Sequence, residues 1–109
     1  MGLVNNIIKY ASRLFNNQAK AVRYIDKGRE GYVVYSDEKG GLELYIEFGG
    51  SNCLAIIHLP TDNEWAMANR GATSKKEMAE FIAQQVIKDK APGCHYTISD
   101  KWIEIFLAK

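Results

Sequence analysis

The sequence lacks any marked excess of charge, because fourteen lysines and arginines oppose thirteen aspartates and glutamates among its 109 residues. Nucleic-acid-binding domains are usually far more basic, and a protein that mimics DNA would be strongly acidic. A net charge of +1 therefore does not favour nucleic acid as a partner, and long-range electrostatics points to no other class of partner.

Long hydrophobic runs are also missing. No segment approaches the ~20 consecutive apolar residues that a membrane-spanning helix needs. Polar residues interrupt the opening stretch MGLVNNIIKY every few positions, whereas a secretory signal peptide has a continuous apolar core. We expect no membrane span and a cytoplasmic protein with reduced thiols.

Cysteine and histidine are scarce, with two residues of each type. Cys53 and His58 are an odd number of residues apart in one predicted strand, so they are expected on opposite faces. Cys94 and His95 are adjacent and are also expected to point apart. The four residues lack the close ligand pairs of zinc sites, so we predict no metal site and no cofactor. A thiol enzyme that pairs either cysteine with the distant histidine is a disfavoured alternative.

Hydrophobic periodicity predicts the first elements of the fold. Apolar residues recur at helical spacing over residues 3 to about 25, which predicts one amphipathic helix. Three strands are predicted next, over residues 32–36, 42–48 and 53–59, with glycine-containing turns between them. The last of these strands is apolar on both faces, which indicates a central strand or one that is covered on both sides.

The second half of the chain contains two helix-start signals. Thr61 with Glu64, and Ser74 with Glu77, match the capping-box pattern. The second box precedes a predicted helix over residues 75 to about 89, and a closing hairpin is predicted over 94–98 and 102–107. The predicted order is helix, three-strand antiparallel meander, helix and C-terminal hairpin. That order indicates an α+β two-layer sandwich and a single domain over residues 1–109.

This order of elements resembles two families, the YbjN-like proteins and the class I type III secretion chaperones. Both have a helix, a strand meander, a second helix and further strands. The resemblance spans the whole chain and rests on element order alone. It departs from the chaperone pattern, since those proteins are typically acidic and have a helix after their last strands. The resemblance implies a protein-binding role and assigns no functional residue.

The outer face of the predicted sheet is the candidate binding surface. If Ile103 and Ile105 face the helices, alternation sends Trp102 and Phe106 outward. Aromatic residues are enriched at protein interfaces, and the long segment 60–74 adds further residue types found in binding hot spots. The predicted contact residues are Tyr45, Trp65, Met67, Arg70, His95, Trp102 and Phe106.

We therefore expect a non-enzymatic protein-binding module that is homodimeric, of the adaptor, chaperone-like, immunity or inhibitor type. An alternative function uses the basic face of the first helix to bind nucleic acid or an anionic membrane. The residues of that face are Lys9, Arg13, Lys20 and Arg23.

Overall fold

The structure, a computed structural model, describes residues 20–49, 52–68 and 73–107. The elements within these ranges are β1 (Ala21–Lys27), β2 (Glu30–Asp37), β3 (Gly40–Phe48), β4 (Cys53–His58), α1 (Asp62–Ala68), α2 (Lys75–Lys90), β5 (His95–Ile98) and β6 (Trp102–Phe106). The six strands form one antiparallel sheet in the order β1-β2-β3-β4-β6-β5. The predicted α+β class is confirmed, whereas the predicted number and order of strands are wrong.

The predicted first helix is wrong at its C-terminal end, because residues 21–27 form β1. Val22 and Tyr24 are half-buried while the odd-numbered residues of the strand are exposed, which is the alternation of a strand. In so short a stretch the apolar positions also fit a helical period, so the two patterns overlap. Gly28, with φ of 77°, lies in the two-residue turn that brings β1 back against β2. The predicted helix before residue 20 lies outside the described residues.

The inner face of the sheet packs against α2. The helix buries Met78, Ala79, Ile82, Ala83 and Val86, and these side chains join one hydrophobic cluster with alternate residues of the sheet. The sheet residues in that cluster are Val33, Tyr35, Leu44, Ile46, Ala55, Ile57, Ile103 and Ile105. Full burial of a larger apolar side chain stabilises a fold by about 1.5–3 kcal/mol, so this cluster is the main source of stability.

Helix α2 also bridges the two edges of the sheet, since it contacts β1 at one edge and β5 at the other. At its C-terminal end, the Tyr24 hydroxyl donates to Asp89 at 2.8 Å, and the Lys90 ammonium lies 4.7 Å from the Tyr24 ring centre. Burial, and then the Asp89 carboxylate, raise the pKa of Tyr24 above its ordinary value. The helix therefore spans the inner face of the sheet from one edge strand to the other. Neither described helix is long and apolar enough to cross a membrane.

The closing hairpin is confirmed, but its position in the sheet is not the one that chain order suggests. Strand β6 pairs with both β4 and β5, so the later strand of the hairpin lies inside the sheet and β5 lies at its edge. This placement makes β4 a central strand between β3 and β6, as its two apolar faces predicted.

A bulge in β4 changes which residues share a face. The register with β6 shifts between Cys53 and Ala55, where Leu54 is the extra residue. Cys53 therefore aligns with Phe106, and His58 aligns with Trp102. Because Trp102 and Phe106 are four residues apart on one strand, both lie on the outer face. The prediction that Cys53 and His58 lie on opposite faces is wrong for this reason.

Candidate functional site

Four rings form a continuous row across the outer face of the sheet. Tyr32 of β2 lies opposite Tyr45 of β3, with ring centres 6.0 Å apart. The Tyr45 ring is 5.4 Å from the His58 ring, which is 6.3 Å from the Trp102 ring. The row thus crosses β2, β3, β4 and β6, and we call it the aromatic row. Trp102 is 36% exposed, so the row is accessible at that end.

A second pair of rings lies beside the row at the edge of the sheet. His95 of β5 lies opposite Phe106 of β6, with ring centres 5.9 Å apart in an edge-to-face arrangement. His95 is exposed and Phe106 is half-buried. The aromatic row and this pair together form what we call the aromatic face.

Two rings of the aromatic row are hydrogen-bonded to neighbouring carboxylates. The Tyr45 hydroxyl donates to Glu30, and His58 Nε2 lies 3.0 Å from Glu47 Oε1. The hydrogen bond to Glu30, helped by burial and by the negative charge of Glu30 and Glu47, raises the pKa of Tyr45 to about 12. Tyr45 is therefore a neutral hydrogen-bond donor at physiological pH, and its ring is held in one orientation.

A pocket connects this face to the segment after β4. Strand β3 pairs with β4 only over Ile46–Phe48, so its first half extends past the end of β4. The gap is a pocket of about 360 Å³, whose lining includes Tyr45, His58 and Trp65. It offers a partially apolar recess next to the exposed rings.

Of the predicted contact residues in the segment after β4, one packs against the core and one is exposed at the surface. Thr61 and Glu64 form the predicted capping box of α1, with both hydrogen bonds present. Trp65 is half-buried and packs against the hydrophobic core, while Met67 is 84% exposed. Arg70 lies outside the described residues.

The basic residues proposed for the alternative function do not share a helix in the described part of the chain. Arg23 lies on the outer side of β1. Lys20 precedes that strand, and its ammonium lies 5.9 Å from the ring of Phe81 on the helix side of the sheet. A single basic helical face containing both residues is therefore wrong. Lys9 and Arg13 lie outside the described residues.

The thiols are not positioned for catalysis with the histidines. Cys53 and His95 both align with Phe106, from strands on either side of it. Phe106 lies between them, with its ring against that of His95, and the Cys53 thiol donates instead to the Ala55 carbonyl at 3.7 Å. Cys94 packs against the core, whereas His58 lies on the outer face. Among the described residues, no group of three histidine, cysteine or acidic side chains could hold a metal ion.

Two members of the aromatic row, Tyr32 and His58, were missed by sequence reasoning. The register of the β2–β3 hairpin aligns Asp37 with Gly40 across a two-residue turn and so places Tyr32 opposite Tyr45. Recognising that turn length would have found Tyr32. His58 depends on the pairing of β4 with β6, which no local pattern indicates.

The chain is thus an α+β domain whose sheet is covered by α2 on one face and carries aromatic rings on the other. Comparisons with models of protein families, with curated proteins and with solved structures found no match.

Proposed function

We propose that this chain is a non-enzymatic protein-binding module that docks its partner on the aromatic face. The observation that carries the proposal is the row of rings from Tyr32 to Trp102, on the face opposite α2. Aromatic rings bring large contact area with few rotatable bonds, which lowers the entropy lost on binding. Adaptor, chaperone-like, immunity and inhibitor proteins would all use such a face.

The charges around the rings indicate the chemistry of the partner. Glu43, Glu47 and Glu104 lie on the outer side of β3 and β6, at positions that alternate with or flank the rings. Among the residues that the structure describes, the lysine and arginine residues of the strands on this side are Arg23 and Lys27, both on the edge strand β1. A partner with an apolar centre and lysine or arginine residues at its rim matches this pattern, because complementary potentials favour encounter and orientation.

The pocket beside Tyr45 supplies an anchor point. A side chain of the partner that enters the recess between Tyr45, His58 and Trp65 would be removed from water on several sides. Hot-spot residues typically occupy such desolvated positions near the centre of an interface. Met67 on α1, two residues after Trp65 and 84% exposed, is a further candidate contact for the partner.

Position-specific photo-cross-linking tests the proposal. A benzophenone amino acid is placed at Tyr45 or, as a matched control, at the exposed Lys88 on α2. We expect a covalent adduct with another protein from position 45 and none from position 88. The captured protein is then purified, and its affinity for wild-type protein and for Trp102→Ala is measured.

Loss of the Trp102 side chain should weaken that affinity tenfold or more, since truncation of a hot-spot residue costs about 2 kcal/mol or more. Lys88→Ala should leave affinity unchanged. Adducts that form equally from both positions, or an affinity that Trp102→Ala does not change, would contradict docking on the aromatic face.

A further inference from the structure

The edge of β5 that points away from β6 is a second candidate interaction surface. Strand β5 pairs with β6 on one side, and within the described residues no strand pairs with its other side. Exposed strand edges readily pair with another chain, and proteins commonly protect them with charged side chains. The opposite edge strand, β1, carries Arg23, Asp26 and Lys27. The sequence of β5, HYTI, has no lysine, arginine, aspartate or glutamate, so β5 is the less protected edge.

The hydrogen bonds of the β5–β6 hairpin show which backbone groups point to that edge. The Ser99 amide donates to the Trp102 carbonyl at 2.9 Å, so these residues form a hydrogen-bonded pair. Along an antiparallel ladder, hydrogen-bonded pairs alternate with non-hydrogen-bonded pairs. Ile98 with Ile103 is therefore a non-hydrogen-bonded pair, and Thr97 with Glu104 is the next hydrogen-bonded pair. Tyr96 and Ile98 therefore direct their N–H and C=O groups away from β6, toward the open edge.

We propose that two copies of the chain join through β5 in an antiparallel, two-fold pairing. With Thr97 on the two-fold axis, Tyr96 of each copy lies opposite Ile98 of the other. Each copy then supplies two N–H and two C=O groups, so the pairing makes four hydrogen bonds. The two six-stranded sheets become one continuous sheet of twelve strands.

The surroundings of the edge favour a second copy as the occupant. A groove of about 560 Å³ runs between α2 and β5, and its lining includes Ala79, Tyr96 and Ile98. Lys76 and Glu80 also line this groove, one helical turn apart. A two-fold axis normal to the sheet makes the two α2 helices antiparallel, and with the axis beside this part of the groove the proposal places Lys76 of one copy toward Glu80 of the other. The groove of one copy thus presents charges that are complementary to those of the same groove in the second copy. The pairing does not depend on the proposed docking at the aromatic face.

A disulfide formed across the axis tests both the pairing and its register. In a background with Cys53→Ala and Cys94→Ala, Thr97→Cys is oxidised at a concentration of tens of micromolar. In the proposed register the two Thr97 residues form a non-hydrogen-bonded pair, with Cα atoms about 4.5 Å apart. That separation lies within the range that disulfides accept.

The matched control is His95→Cys in the same background, on the same face and strand. In the proposed register the two His95 residues are offset by four positions, roughly 13 Å along the strands. We expect Thr97→Cys to form a disulfide-linked dimer at least tenfold faster than His95→Cys. Equal rates for the two variants would overturn the register.

Light scattering and amide exchange on the wild-type chain complete the test. We expect the mass of a dimer, and slower exchange of the Tyr96 and Ile98 amides as protein concentration rises. A monomer at hundreds of micromolar, or exchange independent of concentration, would overturn the pairing. A dimer that Trp102→Glu dissociates, and that Thr97→Cys fails to cross-link, would instead place self-association on the aromatic face. Partner adducts from position 45 report on the proposed function separately.

Discussion

The two capping boxes of this chain give a matched test of what stabilises the fold. In the box before α2, the Glu77 amide donates to the Ser74 hydroxyl at 3.0 Å, and the Ser74 amide donates to the Glu77 carboxylate at 2.8 Å. The box before α1 has the same two bonds, between Thr61 and Glu64. The helices differ in burial, because α2 buries five residues and α1 buries none.

We expect Ser74→Ala to lower the free energy of unfolding by about 1 kcal/mol, within the 0.5–2 kcal/mol found for lost caps. For a domain of this size, about 1 kcal/mol lowers the Tm by roughly 4–8 °C. Loss of the Ser74 hydroxyl frays the first turn of α2, which carries the buried Met78. Thr61→Ala frays a helix that has no fully buried residue and contacts the core through the half-buried Trp65, so its effect should be smaller, about 0.5 kcal/mol or less. Urea unfolding followed by circular dichroism measures both.

The pH dependence of Ser74→Ala adds a second readout. Hydrogen bonds from the backbone and side chain of Ser74 lower the pKa of Glu77 below its ordinary value. A carboxyl group with a lowered pKa in the folded state stabilises the protein above its unfolded pKa. That stabilisation is lost as pH falls through the folded pKa. The difference between wild-type and Ser74→Ala should therefore be largest at neutral pH and should shrink in acid. Equal effects of Ser74→Ala and Thr61→Ala would refute the reasoning that burial sets the cost of a lost cap.

Three further predictions concern the sheet, the helix and the aromatic face. Gly31→Ala should lower the Tm in thermal unfolding, because the new alanine Cβ would collide with the backbone carbonyl oxygen of Ile25 in β1. Gly41→Ala is the matched control and should leave the Tm nearly unchanged, because a Cβ at that position makes only ordinary van der Waals contacts. Ile82→Ala should cost about 2–5 kcal/mol in urea unfolding, since Ile82 is fully buried between α2 and the sheet, and a loss below about 1 kcal/mol would contradict that packing. Ultraviolet titration should show a tyrosine with a pKa of about 12 that is absent in Tyr45→Phe, and Glu30→Gln should lower that pKa toward 10. A tyrosine whose pKa is raised by folding stabilises the folded state at pH values below its unfolded pKa. The stabilisation from Tyr45 should therefore be lost as the pH rises from 10 to 12.

The two proposed surfaces are compatible on one molecule. Pairing through β5 uses backbone groups at the edge of the sheet, and docking uses side chains on its outer face. His95 and Phe106 lie on β5 and β6, so a continuous sheet would bring the aromatic faces of both copies close together. A dimer of this kind could bind two partner molecules, or two sites on one partner, on a single broad face.

Local patterns in the sequence were sufficient for much of the fold. The strict alternation of residues 42–48 predicted β3, and the Ser74–Glu77 box predicted the start of α2, because both depend on neighbours within a few residues. Alternation in β6 also predicted that Trp102 and Phe106 share one face, which the structure places opposite α2.

Other features depended on contacts between distant parts of the chain. Residues 21–27 have a pattern that fits a helix or a strand, and pairing with β2 selects the strand by supplying partners for its backbone. The position of β6 between β4 and β5 depends on pairing across more than forty residues of chain, which leaves no local trace.

The sequence by itself determined where most strands and α2 lie and which of their residues alternate, since these follow from local backbone geometry. Only the tertiary structure decided that Tyr32, Tyr45, His58 and Trp102 form one row. Strand order and the bulge in β4 set that row, because both arise from hydrogen bonds between strands rather than within them.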